Sequence, residues 1–247
     1  GGRSRRSSAD ATMRVSVVAK AKIGMLELGV KFLISYFIGS LMGAIIVGRL
    51  RGGVDIRTMG SGNAGGTNAL RTQGPLFALG VVIVDIGKGI VGAGVVPGLD
   101  LPFIPADPEI SRAWLTISCA AAAVLGHVWP IYHGFRGGKG GATLVGTLLV
   151  LAPQLVIVVL VVFAGVLATS GYVGLSTMSA ASALPIWLAI TRLPDDQPLF
   201  IYVFIMAACV IYWHRSNIQR MRAGNENRNI KVMLFKPQAS PPDNDQP

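Results

Sequence analysis

Residues Ala142–Ala168 read ATLVGTLLVLAPQLVIVVLVVFAGVLA, an uncharged run interrupted once, by Pro153. A bilayer core takes about 20 helical residues to cross, so this run is long for one span and short for two. Proline removes a backbone donor and clashes with the preceding turn, which predicts a break at Pro153 and two short passages. Five further stretches are apolar enough to cross: Phe32–Leu50, Leu76–Pro97, Ala113–Tyr132, Tyr172–Thr191 and Leu199–Trp213, the last rather short. Across the 247 residues 51% are hydrophobic and 14% charged, against about 25% charged in a soluble domain. That is too little charge for a polar skin. The 31 glycines follow no three-residue period, which excludes collagen, and the apolar content excludes disorder. Cys119 and Cys209 both lie in apolar runs, so no disulfide framework and no thiol metal site is expected.

Charge sets the sidedness. Lys and Arg gather in cytoplasmic loops, and Arg49, Arg51, Arg57 and Arg71 mark the first loop as inside. Arg136 and Lys139 mark the third, and Arg215, Arg220, Arg222 and Arg228 the C-terminus. Asp100, Asp107 and Glu109 suit an outside loop, as do Asp195 and Asp196. These assignments agree only if Ala142–Ala168 crosses as two segments. The expectation is therefore an all-α, polytopic integral membrane protein of seven transmembrane helices, some short, with the N-terminus outside and the C-terminus cytoplasmic. The basic segment 1–24, with Arg3, Arg5, Arg6, Arg14, Lys20 and Lys22, runs against that orientation. It is read as a disordered or non-native extension, with Met25 the natural start; a basic tail lying on anionic lipid is the other reading. Residues 25–235 are expected to form one membrane-embedded domain, and 236–247 a disordered tail.

Three polar clusters fall on the inside: Gly60-Ser61-Gly62-Asn63-Ala64-Gly65-Gly66-Thr67-Asn68 closed by Arg71; Phe135-Arg136-Gly137-Gly138-Lys139-Gly140-Gly141-Ala142-Thr143; and His214-Arg215-Ser216-Asn217-Ile218 running on to Gly224 and Glu226. Glycines let backbone N–H groups approach a ligand, and a helix N-terminus favours anions, so the combination with cations and amides is phosphate-cradle chemistry. The alternative for each cluster is a solvated turn carrying positive-inside charge. Gly60-x-Gly62-x-x-Gly65 mimics a dinucleotide fingerprint but follows an apolar span instead of a strand. Gly138-Lys139 is not a Walker loop, because Gly140 stands where Ser or Thr belongs, and no Gly-x-Ser-x-Gly elbow occurs. His127, His133 and His214 are scattered, so no metal site is expected. Gly39, Gly43, Gly80 and Gly92 suit helix packing. Asp85 and Lys88 read either as a mutually satisfying pair or as functional intramembrane charges, and His127 either as a helix-end or as a catalytic residue.

The clusters, with Ser35-Tyr36-x-x-Gly39-Ser40, Asp55-Ile56-Arg57, Gly126-His127-x-x-Pro130 and Arg220, resemble the bacterial acyl-phosphate-dependent glycerol-3-phosphate acyltransferase family (PlsY) in order and spacing from Leu28 to Phe235. Gly66 and Met221 stand where the family usually has Ala and Leu, and the loop Pro97–Pro108 looks longer than usual. The resemblance implies a seven-helix bundle in the bacterial inner membrane with its site facing the cytoplasm. The implied reaction moves an acyl chain from acyl phosphate to the 1-hydroxyl of glycerol 3-phosphate, giving lysophosphatidic acid and phosphate in phospholipid biosynthesis. It also implies that no cofactor or metal, no nucleic acid and no obligate protein partner takes part. On this reading Lys139, Arg71 and the amides of Gly137, Gly138 and Gly140 hold phosphate, and Gly60, Gly62, Asn63, Thr67, Asn68 and Thr143 are expected to bind substrate or phosphate with them. Ser61, His214 and Asn217 are the expected catalytic residues, positioning glycerol 3-phosphate, and Glu226 is expected to anchor the C-terminal segment. A transporter or channel for a phosphorylated solute is the rival reading. It is disfavoured because the polar motifs gather at one face and no internal repeat is found.

Overall fold

The structure, a computed structural model, describes residues 25–234; the extension 1–24, the last residue of the 25–235 domain and the tail 236–247 lie outside the described residues. Ten helices account for the described chain, with no strand beyond an isolated bridge between Leu101 and Ile104. They are α1 (Met25–Gly39), α2 (Gly43–Leu50), α3 (Gly66–Gln73), α4 (Pro75–Ile90), α5 (Arg112–Val128), α6 (Gly141–Leu151), α7 (Gln154–Ser170), α8 (Val173–Thr191), α9 (Gln197–Trp213) and α10 (Arg215–Arg222).

Three helices are each long and apolar enough to cross a membrane: Pro75–Gly98, Arg112–His133 and Val173–Thr191. Two bent pairs pass the same test together, α1 with α2 at 42° and α9 with α10 at 50°. Helices α6 and α7 are shorter, and they meet at Pro153 as the sequence predicts. Ala152 ends α6 in an extended conformation (φ −162°, ψ 80°) and Pro153 caps α7. The residue before a proline is pushed out of the helical region, which is why the break falls there. Helix α7 buries only Leu155 and turns Ile157, Leu160 and Val161 outward, each 59–66% exposed. Such a face needs lipid.

The core lies mainly between α5, α6, α8 and α9, around Val124, Leu148, Leu184, Val203 and Trp213. A second cluster joins α2, α3 and α4 through Met42, Ile56, Ala69 and Val81. Glycines set how closely the helices approach. Gly89 on α4 and Gly146 on α6 face each other, and a Cβ on either would come within 3.1 Å of the other's Cα. A Cβ on Gly39 would strike the Ala123 backbone of α5, and one on Gly126 would strike Ser40 in return.

Three features differ from the sequence expectation. The first span breaks at Ser40–Met42, where no proline stands. Residues Gly66–Gln73 and Arg215–Arg222, read as loop, are helices of 8 residues each. Both are polar, so neither shows the apolar period by which a helix is recognised.

Candidate active site

Asp55 opens the first polar segment by capping the turn Ile56–Thr58. Its carboxylate accepts from the Arg57 amide at 3.0 Å and grips the Arg57 guanidinium at two atoms, Nε (3.0 Å) and Nη2 (2.7 Å). The guanidinium hydrogen bonds hold the Asp55 carboxyl below the usual carboxylate range, and the same bonds raise Arg57. The loop that follows is pinned from α3. Buried Asn68 donates to Ile56 O (2.9 Å) and Met59 O (3.0 Å) and accepts from the Ser61 amide (3.0 Å). Its amide is thus engaged with the loop that carries Gly60, Ser61, Gly62 and Asn63. Thr67 and Arg71 share α3 with it.

The glycine-rich loop rests on α5. The Gly138 amide donates to His127 O at 3.1 Å, and a Cβ on Gly137 or Gly138 would collide with the His127 carbonyl or ring. Gly140 takes φ +82°, the left-handed region, and caps α6 at its N-terminus. Lys139 donates to Asn217 Oδ1. Thr143, in the first turn of α6, is fully buried and its hydroxyl has no hydrogen-bond partner.

The C-terminal cluster sits behind Lys139. His214 occupies the bend between α9 and α10, buried, with Nδ1 2.8 Å from Val210 O. A carbonyl only accepts, so Nδ1 carries the proton and Nε2 is left as an acceptor. Asn217 receives Lys139 on one side of its amide and donates to Glu226 Oε1 at 2.8 Å on the other. Glu226 Oε2 accepts from Arg220 Nε at 2.6 Å, and the Glu226 side chain is 3% exposed. Lys139, Asn217, Glu226 and Arg220 form one chain of donors and acceptors.

All three segments meet at a cavity of about 720 Å³. Of the expected residues, Gly62, Asn63, Gly137, Gly138 and Lys139 line it. His214, Asn217 and Glu226 lie behind Lys139, whereas Ser61, Asn68 and Arg71 belong to the supporting loop and α3. Four cations reach the wall, Arg57, Arg136, Lys139 and Arg215, against the one carboxylate of Asp55. Burial brings the Lys139 ammonium down to about 8, with the Arg220, Arg215 and Arg71 charges acting in the same direction and Glu226 opposing. Asp55 and Arg57 entered the sequence reading as a family motif and, for Arg57, as an inside charge, with no role in the site. A carboxylate two residues before an arginine, between the glycines Gly53 and Gly60, was the available signal. Among the described residues no group of three or more His, Cys, Asp or Glu is placed to hold a metal ion.

Residues 30–224 match the glycerol-3-phosphate acyltransferase family. The chain belongs to this family. A glycerol-3-phosphate acyltransferase of Chlorobium phaeobacteroides (strain BS1) is 39% identical over 228 residues, 83% of this chain and 97% of the relative. One from Salinibacter ruber (strain DSM 13855 / M31) is 38% identical over 225 residues, 86% of this chain and 96% of the relative. Among solved structures, a crystal structure of PlsY, an integral membrane glycerol 3-phosphate acyltransferase, in its glycerol 3-phosphate form matches with a TM-score of 0.68 at 27% identity. It covers 81% of this chain and 94% of that one. Its lysophosphatidic acid form matches equally well, at 28% identity. The acyltransferase fold is thus shared over nearly the whole described chain, and the protein is an integral membrane enzyme.

Proposed function

We propose that the chain acylates the 1-hydroxyl of glycerol 3-phosphate with acyl phosphate as donor, at the 720 Å³ cavity. The observation that carries this is a cation-rich cavity with a glycine-rich loop and Lys139 on its wall and, among the described residues, no nucleophile–base pair in hydrogen-bond contact there. Both substrates are phosphates, and acyl phosphate is already an activated donor. The hydroxyl oxygen of glycerol 3-phosphate attacks the acyl carbon, the bond from that carbon to the bridging phosphate oxygen breaks, and phosphate leaves with that oxygen and takes up the hydroxyl proton. Lys139, with Arg71 nearby and the amides of Gly137, Gly138 and Gly140, holds phosphate and stabilises the charge that develops on it. Ser61, His214 and Asn217 position the acceptor, His214 offering Nε2 to its hydroxyls. Gly60, Gly62, Asn63, Thr67 and Asn68 shape the first loop and Thr143 backs the second. Glu226 holds Asn217 toward Lys139. Positioning and preorganised charge supply the acceleration without a covalent intermediate.

In the same reading the three long helices, two bent pairs and two shorter helices make seven segments, with the N-terminus outside. The cavity then opens to the cytoplasmic face of the bacterial inner membrane, the side of the Lys and Arg excess. Purified, detergent-solubilised protein given acyl phosphate and glycerol 3-phosphate should release lysophosphatidic acid and inorganic phosphate in equal amounts. Uptake of glycerol phosphate into vesicles without a donor, and no such products, would favour a transporter instead. An acyl group trapped on Ser61 would replace direct transfer by a two-step route.

A further inference from the structure

Asp85, Lys88 and His127 are buried, at 1%, 5% and 3% exposure, and none lines the catalytic cavity. Asp85 and Lys88 pair at 2.9 Å on α4. Both also serve the break between α1 and α2: Lys88 donates to Leu41 O at 2.8 Å, and Asp85 Oδ1 accepts from the Gly43 amide at 3.2 Å. Closing that break needs only the pair. Yet Asp85 faces a third group, His127 Nδ1, at 3.5 Å from Oδ1. Neither His127 Nδ1 nor Asp85 Oδ2 has a hydrogen-bond partner. The other side of the imidazole is the floor of the glycine-rich loop: Gly138 packs on Nε2 so closely that a Cβ would not fit, and its amide is tied to the His127 carbonyl.

We infer that Asp85, Lys88 and His127 form a positioning network that runs from the α1–α2 break to Gly137–Gly138 and sets the affinity of the loop for phosphate. Intramembrane charges are costly unless they face the bundle interior and pair; Asp85 and Lys88 are fixed by each other and by the α1–α2 break, and His127 is fixed by its contact with that carboxylate on one side and by Gly138 on the other. The carboxylate orients the imidazole, the imidazole supports the Gly138 backbone, and the break in α1–α2 fixes the pair. The inference rests on the reading of this loop as a phosphate site.

Inorganic phosphate, the expected product, is the probe. In the full-length, detergent-solubilised chain, His127→Gln and the charge-neutral double variant Asp85→Asn with Lys88→Met are each compared with wild type. A misplacement of about 1 Å in a positioning group costs up to roughly a hundredfold. The inhibition constant for phosphate and the KM for acyl phosphate should therefore rise on the order of tenfold or more, with kcat falling less. Because the three act as a unit, the triple variant should be no worse than the more damaging of the two. Unchanged phosphate inhibition in folded variants, or losses that multiply independently, would overturn the inference. If the double variant does not purify folded, His127→Gln, which removes no charge pair, carries the test. Failure of both to fold would assign the network to assembly alone and overturn it too. Lys139→Ala separates the two readings. If it leaves phosphate inhibition intact, the loop is not the phosphate site; if it abolishes inhibition while His127→Gln does not, only the network falls.

Discussion

In the proposed site Lys139 binds phosphate as an ammonium, so its titration should be written directly into turnover. Burial lowers it to about 8, which leaves it charged below that pH and neutral above. The charge that grips phosphate is present on the acid side and lost as pH rises through about 8. The pH profile of kcat/KM, which reports the free enzyme, should fall on that alkaline limb, and Lys139→Ala should abolish the limb. The same variant should lose at least about a hundredfold in rate, as removal of a donor aimed at developing charge usually does. Near-wild-type turnover in a folded Lys139→Ala protein would move phosphate elsewhere. Glu226 and His214 should separate by mechanism. Glu226 accepts from Asn217 and Arg220 with its two oxygens, and a glutamine in its place keeps one acceptor. A buried donor left unmatched costs about 1–3 kcal/mol, so Glu226→Gln should lose melting temperature and activity together. His214→Ala gives up one bond to Val210 and should lose activity while melting near wild type. A catalytically dead Glu226→Gln with unchanged melting temperature would place that carboxylate in contact with substrate. The place of Lys139 on the cavity wall was legible in the sequence, where a cation stands among glycines at a helix start. The engagement of Asn68 with its own loop was not, since an amide looks the same whether it binds ligand or backbone.

At the scale of elements, the α4–α6 crossing depends on two hydrogen atoms. Gly146→Leu must push its side chain into the Ile86 carbonyl and the Gly89 backbone, and overpacking typically costs about 1–3 kcal/mol. The variant should melt well below wild type in detergent. Gly29→Leu, at a position where a Cβ meets nothing within 4 Å, should melt unchanged; equal effects from both would mean that α4 and α6 do not cross as closely as described. Packing roles for Gly39, Gly43, Gly80 and Gly92 were legible, and each does face a neighbouring helix. The break at Pro153 was legible because its cause is local. The break at Ser40–Met42 was not, because its partners come from Asp85 and Lys88, 42 and 47 residues further along. Long-range partners leave no trace in local spacing. Helix α10 escaped for a related reason: its apolar share is only Ile218 and Met221, and the rest of its hold comes from the bonds of Asn217 and Arg220 to Glu226.

For the whole molecule, sidedness is the expectation most open to direct test. Thr58 and Asp100 are both exposed, the first beside the cavity and the second in the loop after α4. With Cys209 replaced by Ala and Cys119 left in place because it is 0% exposed, a membrane-impermeant maleimide should label Asp100→Cys in intact spheroplasts. Thr58→Cys should react only after lysis. The reverse pattern would turn the enzyme over and place its cavity outside.

The donor chain from Lys139 through Asn217 to Glu226 also bears on how the enzyme is made. Asn217 follows Lys139 by 78 residues, and Glu226 follows Asn217 by 9. A ribosome that has just made the glycine-rich loop has built a cation without its amide, and the amide arrives before the carboxylate that steadies it. A chain stalled before α10 lacks both Asn217 and Glu226, and with them the Lys139–Asn217–Glu226 chain of the proposed site. On the proposed mechanism, translation itself would withhold acyl transfer from copies that have not reached α10 and Glu226.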